Sequence, residues 1–576
     1  MNIVCVDYPF TALLENLGHQ VLSLRLEPGL TRLADLPELS RKDAFQADLF
    51  IQQERLGPRV ILEGVHKLPC TAIFISVDTH LNMFWHRYYA RLFDLTLTAH
   101  VSWFERQSDD FGQSGCSARN VHRLRHCGDA RLWRDFSRRR HDFSFCGVVD
   151  KHRPVRNAML ELLGRHFALH RPEKSMPRPE MLDMFSDTRI VPNESIAEEV
   201  NFRLFEGASC GCLVLGQEVG EDQNACFEPG REVILYAHGL DLLEKAVFYR
   251  KNERTAEEIA RAAWLRVQAE HLPQHRVKEL LATAEKWARG AIAGGRAEKG
   301  EADKYFCLTL QQLAFHGSLK QTAKQLLDRF MALPEDGEVA AAALQTLMQL
   351  DGASRKNGLA FCAEIFKEAL YIRSTACNLA CSVFCRLQGD TGLSNLFLER
   401  QIQAVRDGRN PDWEPENAHI DPGSALYDFY ILWARLLYRQ KKLARPGCRF
   451  APEAGVLPEN ALECLLLAQA ELEHGARVSM DNKELMEEMH RIFSVLPGYA
   501  DLDRGALAHL SLYAQNSWPI QMDFALSGLK CHKIETGLAE LAEALDKAEK
   551  QGEAEDFFRR LAGIAASESI LRVLKQ

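Results

Sequence analysis

Nothing in the 576 residues approaches the roughly 20 consecutive apolar residues that a bilayer-spanning helix requires. The greasiest stretch, 426–438, is interrupted by Asp428 and Arg435, so no transmembrane segment is expected. The opening MNIVCVDYPF lacks a basic n-region and a small-residue cleavage site, which predicts a buried first strand and a cytoplasmic protein. Positive charge is not in excess either: 70 Lys and Arg face 79 Asp and Glu, a formal charge of −9. That balance excludes a protein that coats nucleic acid over its whole surface. The 16 cysteines contain no Cys-x-x-Cys pair and many sit in apolar runs, which predicts reduced, buried thiols in place of disulfides. No Asp-x-Asp stands at a strand end, and His80, His86, His122 and His126 lack zinc-ligand spacing, so no metal is expected.

What is present is ordinary globular composition, 46% hydrophobic and 26% charged. At roughly 150 residues per domain the length suggests three or four compact units. Short apolar runs alternate with helical stretches from the start: NIVCV, QVLSL, ADLFI, TAIFISV and DLTLTAH read as strands of a parallel α/β sheet. A second series follows at HDFSFCGVV, FALHR, TRIVP, CLVLG and EVILY, with helices near 154–164 and 195–210. Beyond about residue 250 the strand pattern stops. Two amphipathic helices close the second unit, GAIAGGRAEKGEADK reads as a linker, and from 303 the period is helical. Breaks at Gly317, Pro334, Gly352 and Gly389 suggest helical hairpins of TPR-like length, or an irregular bundle. Two Pro- and Gly-bearing stretches, 409–423 and 444–460, flank a single helix.

The most informative segment is NESIAEEVNFRLFEGASCGCLVLGQ, 193–217. Read as one helix, it places Glu198, Phe202 and Glu206 at i, i+4 and i+8, on one face, where two carboxylates can accept hydrogen bonds from sugar hydroxyls. A helix that starts at the carboxyl edge of a parallel sheet also turns its N–H groups toward a phosphate. The alternative is two glutamates on a solvated face. From Arg119 to Arg156, eleven Lys or Arg stand against four Asp or Glu, a local +7 that favours an anionic ligand. Trp133 and Phe136 lie among those arginines, which leaves an RNA-binding reading open. Asp78 and His80 directly follow a predicted strand, where α/β ligands collect; equally, Asp78 can cap the next helix and His80 can be structural. Asp7 is a third candidate. Cys377, Cys381 and Cys385 recur every four residues and read as packed thiols.

The order NFRLFEGASCGCLVLGQ followed by FEPGREVILYAHGLDLLEKAVFYRKNERTAEEIARAAWLRVQAEH resembles the C-terminal half of group-1 glycosyltransferases, most closely the spore-maturation-protein-like branch. The resemblance is clear over about 140–285 and looser over 1–140. Asn201, Arg203, Phe205, Glu206, Cys210 and Gly211 match one motif, and Phe227, Pro229, Gly230 and Glu232 match a following turn. It implies a GT-B fold in which two Rossmann-like domains, 1–140 on the acceptor side and 141–290 on the nucleotide-sugar side, precede a helical domain at 303–576. It also implies that Glu206 holds the nucleotide ribose and that Glu198 approaches the donor sugar. Gly147 would let the backbone approach the diphosphate, Lys151 or Arg153 supplying charge. The family carries an Asp-rich turn near Asp78 and His80, whereas Asp7, Tyr8 and Pro9 replace the Gly-Gly loop that many members carry after the first strand.

The expected activity is transfer of a sugar from a nucleotide-sugar donor to a protein or large glycan docked on the helical domain. No metal and no cofactor beyond the donor is expected. A GT-B-like binding scaffold without turnover and a sugar-nucleotide epimerase are the alternatives.

Overall fold

The computed structural model describes residues 1–40, 45–103, 120–172, 176–350, 352–368, 371–407, 425–444, 457–474, 482–496 and 498–574. The chain divides into two compact units, Met1–Arg123 with Leu280–Met480, and Leu124–Glu279 with Asp481–Gln576. Each unit is therefore built from one α/β segment and one set of later helices. The stretch 303–576, expected as one helical segment, is shared between them.

In the first unit, β1 (Asn2–Val6), β2 (Gln20–Leu24), β4 (Leu49–Gln53), β6 (Thr71–Ser76), β7 (Leu95–Thr98) and β8 (Val121–Arg123) form a six-stranded sheet in the order β2-β1-β4-β6-β7-β8. Every pairing is parallel; Ile3 faces Val21 on one side and Leu49 on the other. Ile3, Val4, Cys5 and Val6 are all fully buried. A parallel strand is covered on both faces, so it reads as a continuous apolar run, which is why NIVCV was legible. β3 (Gly29–Arg32) and β5 (Val60–Glu63) form a separate parallel pair. Neither these two nor β8 stands out in the sequence.

The second unit holds β9 (His141–Ser144), β10 (Leu169–His170), β11 (Thr188–Asn193), β12 (Leu213–Gln217) and β13 (Ile234–Tyr236), all parallel, in the order β10-β9-β11-β12-β13. Phe143, Phe145, Met159, Leu163, Ile190, Leu213 and Leu215 pack into one core beneath it. Full burial of side chains of this size stabilises by about 1.5–3 kcal/mol each, and one face of the sheet is fixed by that packing.

The helical breaks fall where the glycines and Pro334 stand. Gly317 and Gly389 take left-handed φ of +65° and +87° just after the helices Lys299–Phe315 and Thr375–Leu387. Thr322 and Gln325 form a capping box at the next helix start, and Asp336 caps the one after. The expected linker is in fact anchored. Arg296 donates to the carbonyls of Val65, Leu68 and Cys70 and pairs with Asp94, while the Gly295 and Ala297 N–H groups bond the Asp94 and Arg91 carbonyls. Glycine-rich composition suggested flexibility, but one arginine in a ring of acceptors overrides it.

The stretch 409–423 and most of 444–460 lie outside the described residues, and the helix between them is Leu426–Arg439. No described helix is long and apolar enough to cross a membrane. The described cysteines are all free thiols, and Cys377, Cys381 and Cys385 are fully buried.

Candidate functional site

Parallel α/β sheets gather ligands beyond the carboxyl ends of their strands, where the strand order reverses. In the second unit that point lies between β9 and β11. Beyond β9 come Phe145, Cys146 and Gly147; beyond β11 comes Glu194. The side chain that joins these two loops is Arg203, in the first turn of the helix Phe202–Ser209. Its Nε donates to the Cys146 carbonyl at 3.0 Å and its Nη1 to Asn193 Oδ1 at 3.0 Å, with the guanidinium 4.3 Å over the Phe145 ring. A Cβ on Gly147 would lie 2.3 Å from Arg203 Nη2. Glycine at 147, at φ +157°, thus lets the chain pass against the guanidinium. Nη2 itself has no partner among the described residues, so it is the donor that a ligand can take.

Arg156 stands beside this group. Its Nε donates to Glu194 Oε2 at 2.7 Å, its Nη1 to the Val148 carbonyl at 3.1 Å and its Nη2 to the Glu194 carbonyl at 3.3 Å, and both side chains are buried. Burial, then the like charge of Arg156, lowers Arg203 to about 10, which still leaves it charged at neutral pH. Burial pushes the Glu194 carboxyl above its ordinary value, and Arg156 pulls back only part of that rise. Asn201 donates from Nδ2 to the Glu194 carbonyl at 3.3 Å, and its buried Oδ1 has no hydrogen-bond partner. A buried acceptor without a partner is rare in a folded protein, and this one stands beyond the carboxyl ends of β9 and β11.

Glu206 lies on the same helix, with its Oε1 3.4 Å from Arg178 Nε. Arg178 is itself clamped on Asp129, at 2.9 and 2.6 Å. Burial raises the Glu206 pKa, against the pull of Arg178 and Arg203. Gly147, Asn201 and Arg203 are thus brought to one crevice, with Glu206 on the same helix. Arg153 starts the helix Pro154–His166 and its pKa is lowered by burial and by Arg156, whereas Lys151 is exposed in the preceding turn.

Glu198 is not on the helix. The helix begins only at Phe202, and Glu198 sits in the loop before it at φ +55°. The i, i+4, i+8 face expected for Glu198, Phe202 and Glu206 therefore does not exist. A buried neighbour explains the loop: Glu199 accepts from the Ala197 N–H at 2.9 Å and from the Ser195 hydroxyl, while Ser195 Oγ accepts from the Glu199 N–H at 2.7 Å. These local bonds offer the backbone an alternative to the helix.

The basic run 119–156 is also not an open patch. Arg139 is buried and donates to the Arg134 and Thr188 carbonyls; Arg134 and Arg140 pair with Asp187, and Arg131 with Asp183. Trp133 bonds Asp135 at 2.9 Å and packs on Trp264, Arg139 and Arg261. Much of the local +7 is structural, and the RNA-binding reading loses its interleaved exposed aromatic. In the turn 227–232, Glu232 accepts from the Glu228 N–H at 2.8 Å, and Phe227 is buried against Phe205 and His271.

The corresponding edge of the first unit carries different chemistry. Glu54, just beyond β4, is buried and accepts from the Val77 and Asp78 N–H groups at 2.7 and 2.8 Å and from Asn82 Nδ2 at 2.6 Å. Burial opposes its ionisation, but His86, 3.2 Å away, and those N–H groups outweigh it and hold the carboxyl below its ordinary value. Asp78 is the N-cap residue of the helix Thr79–Tyr89, yet its side chain makes no cap hydrogen bond; Glu54 serves the N–H groups there. His80 is buried with its ring 5.3 Å from that of His100, and its Nδ1 has no hydrogen-bond partner. Ser76, Thr79 and Thr98 form a hydroxyl chain, 2.5 and 2.7 Å per link, that reaches His86 at one end and the His100 N–H at the other. Asp7, at φ +56°, pairs with Arg55.

Glu54, Arg156, Asn193 and Glu194 were not singled out in the sequence. The signal that would have found Glu54 and Glu194 is position alone, because each directly follows a strand. Among the described residues no group of three or more His, Cys, Asp or Glu could hold a metal ion.

Residues 135–282 match the family described as glycosyl transferase-like. That segment contains all five strands of the second sheet and the whole β9/β11 crevice, and it supports sugar transfer as the class of chemistry. No curated protein matches the chain. Among solved structures, a GtfA/B complex is similar at 11% identity and TM-score 0.31, covering 42% of this chain and 57% of that one. The chain thus spans little more than half the length of that protein. A glycosyltransferase from Rickettsia africae ESF-5 is similar at 9% identity and TM-score 0.33, covering 50% of this chain and 98% of that one.

Proposed function

We propose that the chain is a glycosyltransferase of GT-B type that binds a nucleotide-sugar donor in the β9/β11 crevice. The observation that carries this reading is the coincidence of the matched segment, 135–282, with a crevice where Gly147 passes against Arg203 and Asn201 has an unsatisfied acceptor. Transfer breaks the bond between the sugar's anomeric carbon and the diphosphate oxygen, and that carbon bonds an acceptor hydroxyl, which loses its proton. The leaving diphosphate needs cationic donors. Arg203 Nη2 supplies one, Arg153 and Lys151 stand at the next helix start, and no metal is assigned a part. Glu206, a carboxylate among guanidinium groups, accepts from the ribose hydroxyls. Asp78 and His80 are the candidates for the acceptor's proton.

In this reading 1–140 serves the acceptor, 141–290 the donor, and the helices after 303 hold a protein or large glycan acceptor. Calorimetry of the full chain against UDP-, GDP-, ADP-, TDP- and CMP-sugars tests the donor claim. One nucleotide sugar should bind, and Glu206→Ala and Arg203→Ala should each weaken it at least tenfold. If none binds to the intact protein, the reading fails. Donor hydrolysis or transfer then separates a transferase from a scaffold that only binds, and isomerised donor without acceptor would identify an epimerase.

A further inference from the structure

The helices of the first unit enclose a cavity of about 520 Å³ that the donor reading does not use. Cavities of this size hold small molecules. Its charges do not cancel within the protein. Of the two carboxylates on its wall, Glu459 is paired with Arg87 at 3.2 Å and Glu338 with Lys304 at 2.7 Å. The side chains of Lys442 and Arg373, both on the wall, make no close ion pair or hydrogen bond with a described residue; Glu338 and Glu459 attract Lys442 only from farther away. Arg373 is exposed at the rim, while burial lowers the Lys442 pKa. A cation withdrawn from water without a partner is costly, and such a group persists where something else satisfies it.

A helix start adds N–H donors to the same space. The helix Thr375–Leu387 begins at the cavity wall, where Ser374 Oγ caps the Cys377 N–H and Thr375 and Ala376 expose the positive end of the helix. On the other side Tyr88, with Arg87 4.5 Å over its ring, and Leu308 and Leu379 give an apolar wall.

We propose that this cavity is a binding site for a small organic anion, one carboxylate or phosphate on a body about the size of a monosaccharide. Lys442 and the start of the helix Thr375–Leu387 hold the anionic group, Arg373 meets it at the mouth, and the Tyr88 side covers the body. The proposal is independent of the donor site, since every residue it uses lies outside 135–282.

The test is calorimetry and ligand-observed NMR on the full chain with three matched probes: glucose 6-phosphate, glucuronate and uncharged glucose. One of the two anions should bind at a single site and glucose should not, and the better anion tells phosphate from carboxylate. Lys442→Met should weaken binding at least tenfold while leaving the unliganded protein's Tm unchanged or raised, because the variant removes a half-buried charge that no carboxylate contacts. Lys442→Arg should retain binding within a few-fold. Arg203→Ala, which alters only the second unit's crevice, should bind the probe like the unaltered chain. The proposal is overturned if neither anion binds, if glucose binds equally well, or if Arg203→Ala abolishes binding while Lys442→Met does not.

Discussion

The carboxyl edges of the two parallel sheets share a topology and differ in charge. At the second sheet the strand ends are spanned by guanidinium groups, Arg203 between β9 and β11 and Arg156 on Glu194. At the first sheet the central group is a carboxylate, Glu54, which gathers backbone N–H groups and an imidazole, beside a chain of hydroxyls and the His80–His100 pair. One edge thus suits a ligand that brings negative charge, and the other suits hydroxyl groups and proton movement. The same backbone arrangement serves either purpose, so what distinguishes the edges is the handful of side chains placed just beyond each strand.

The difference can be broken most sharply at Arg156. Arg156→Met removes the partner of a buried carboxylate and should destabilise the second unit by about 3–5 kcal/mol, measured by chemical denaturation. The double variant Arg156→Met with Glu194→Leu should recover much of the loss. If the single variant costs nothing, the guanidinium edge is not a structural necessity of the second unit.

Acidification separates the units more gently. Burial lowers His271 to about 4 and His532 to about 3, and both belong to the second unit. Unfolded, each titrates near its ordinary 6.5, so below that pH the unfolded chain binds more protons and stability falls as pH drops from 6.5 toward 4. By pH 5 the loss is on the order of 2 kcal/mol per group. His490, raised by its bond to Asp503, acts in the opposite direction over the pH range above 6.5. Glu54, held low in the first unit, contributes stability above its ordinary 4.5 that is lost only as pH falls through its lower folded value. Hydrogen exchange at pH 7 and pH 5 should therefore show the second unit loosening first.

Arg203→Ala should weaken nucleotide-sugar binding roughly 10- to 100-fold, the equivalent of about 1.5–3 kcal/mol for a charged hydrogen bond. Arg203→Lys should recover little of it, because an ammonium cannot bond Cys146, Asn193 and a ligand at once. The smallest effect is expected at Glu198. Its left-handed backbone costs about 1 kcal/mol for a residue with a Cβ, so Glu198→Gly should leave stability unchanged or slightly raised. Unchanged turnover in that variant would remove Glu198 from the donor site, whereas a large loss of turnover at normal stability would keep it there.

How legible this molecule was depends on range. Ten strands showed as apolar runs, most plainly β1, β4, β6, β7 and β12, which are covered on both faces, and the motif from Asn201 to Gly211 located the crevice helix. The reading of 195–210 as one helix failed because the Glu199 and Ser195 side chains take the Ala197 and Glu199 N–H groups locally. The basic run 119–156 looked like a patch because a sequence cannot show that Asp183 and Asp187 lie across from it. In the same way the flexible composition of 290–304 gave no hint that Asp94 and three carbonyls would fix Arg296.

By itself the sequence determined the two parallel sheets, the run of helices after 303 and the place of the crevice helix, since each rests on periodicity or spacing within a few turns of chain. The tertiary structure alone decided which charges are free. Whether an arginine serves a ligand or the fold depends on the carbonyls and carboxylates that other segments bring within about 3 Å of it. Those partners, from Glu194 on Arg156 to Glu459 on Arg87, are tens to hundreds of residues away along the chain.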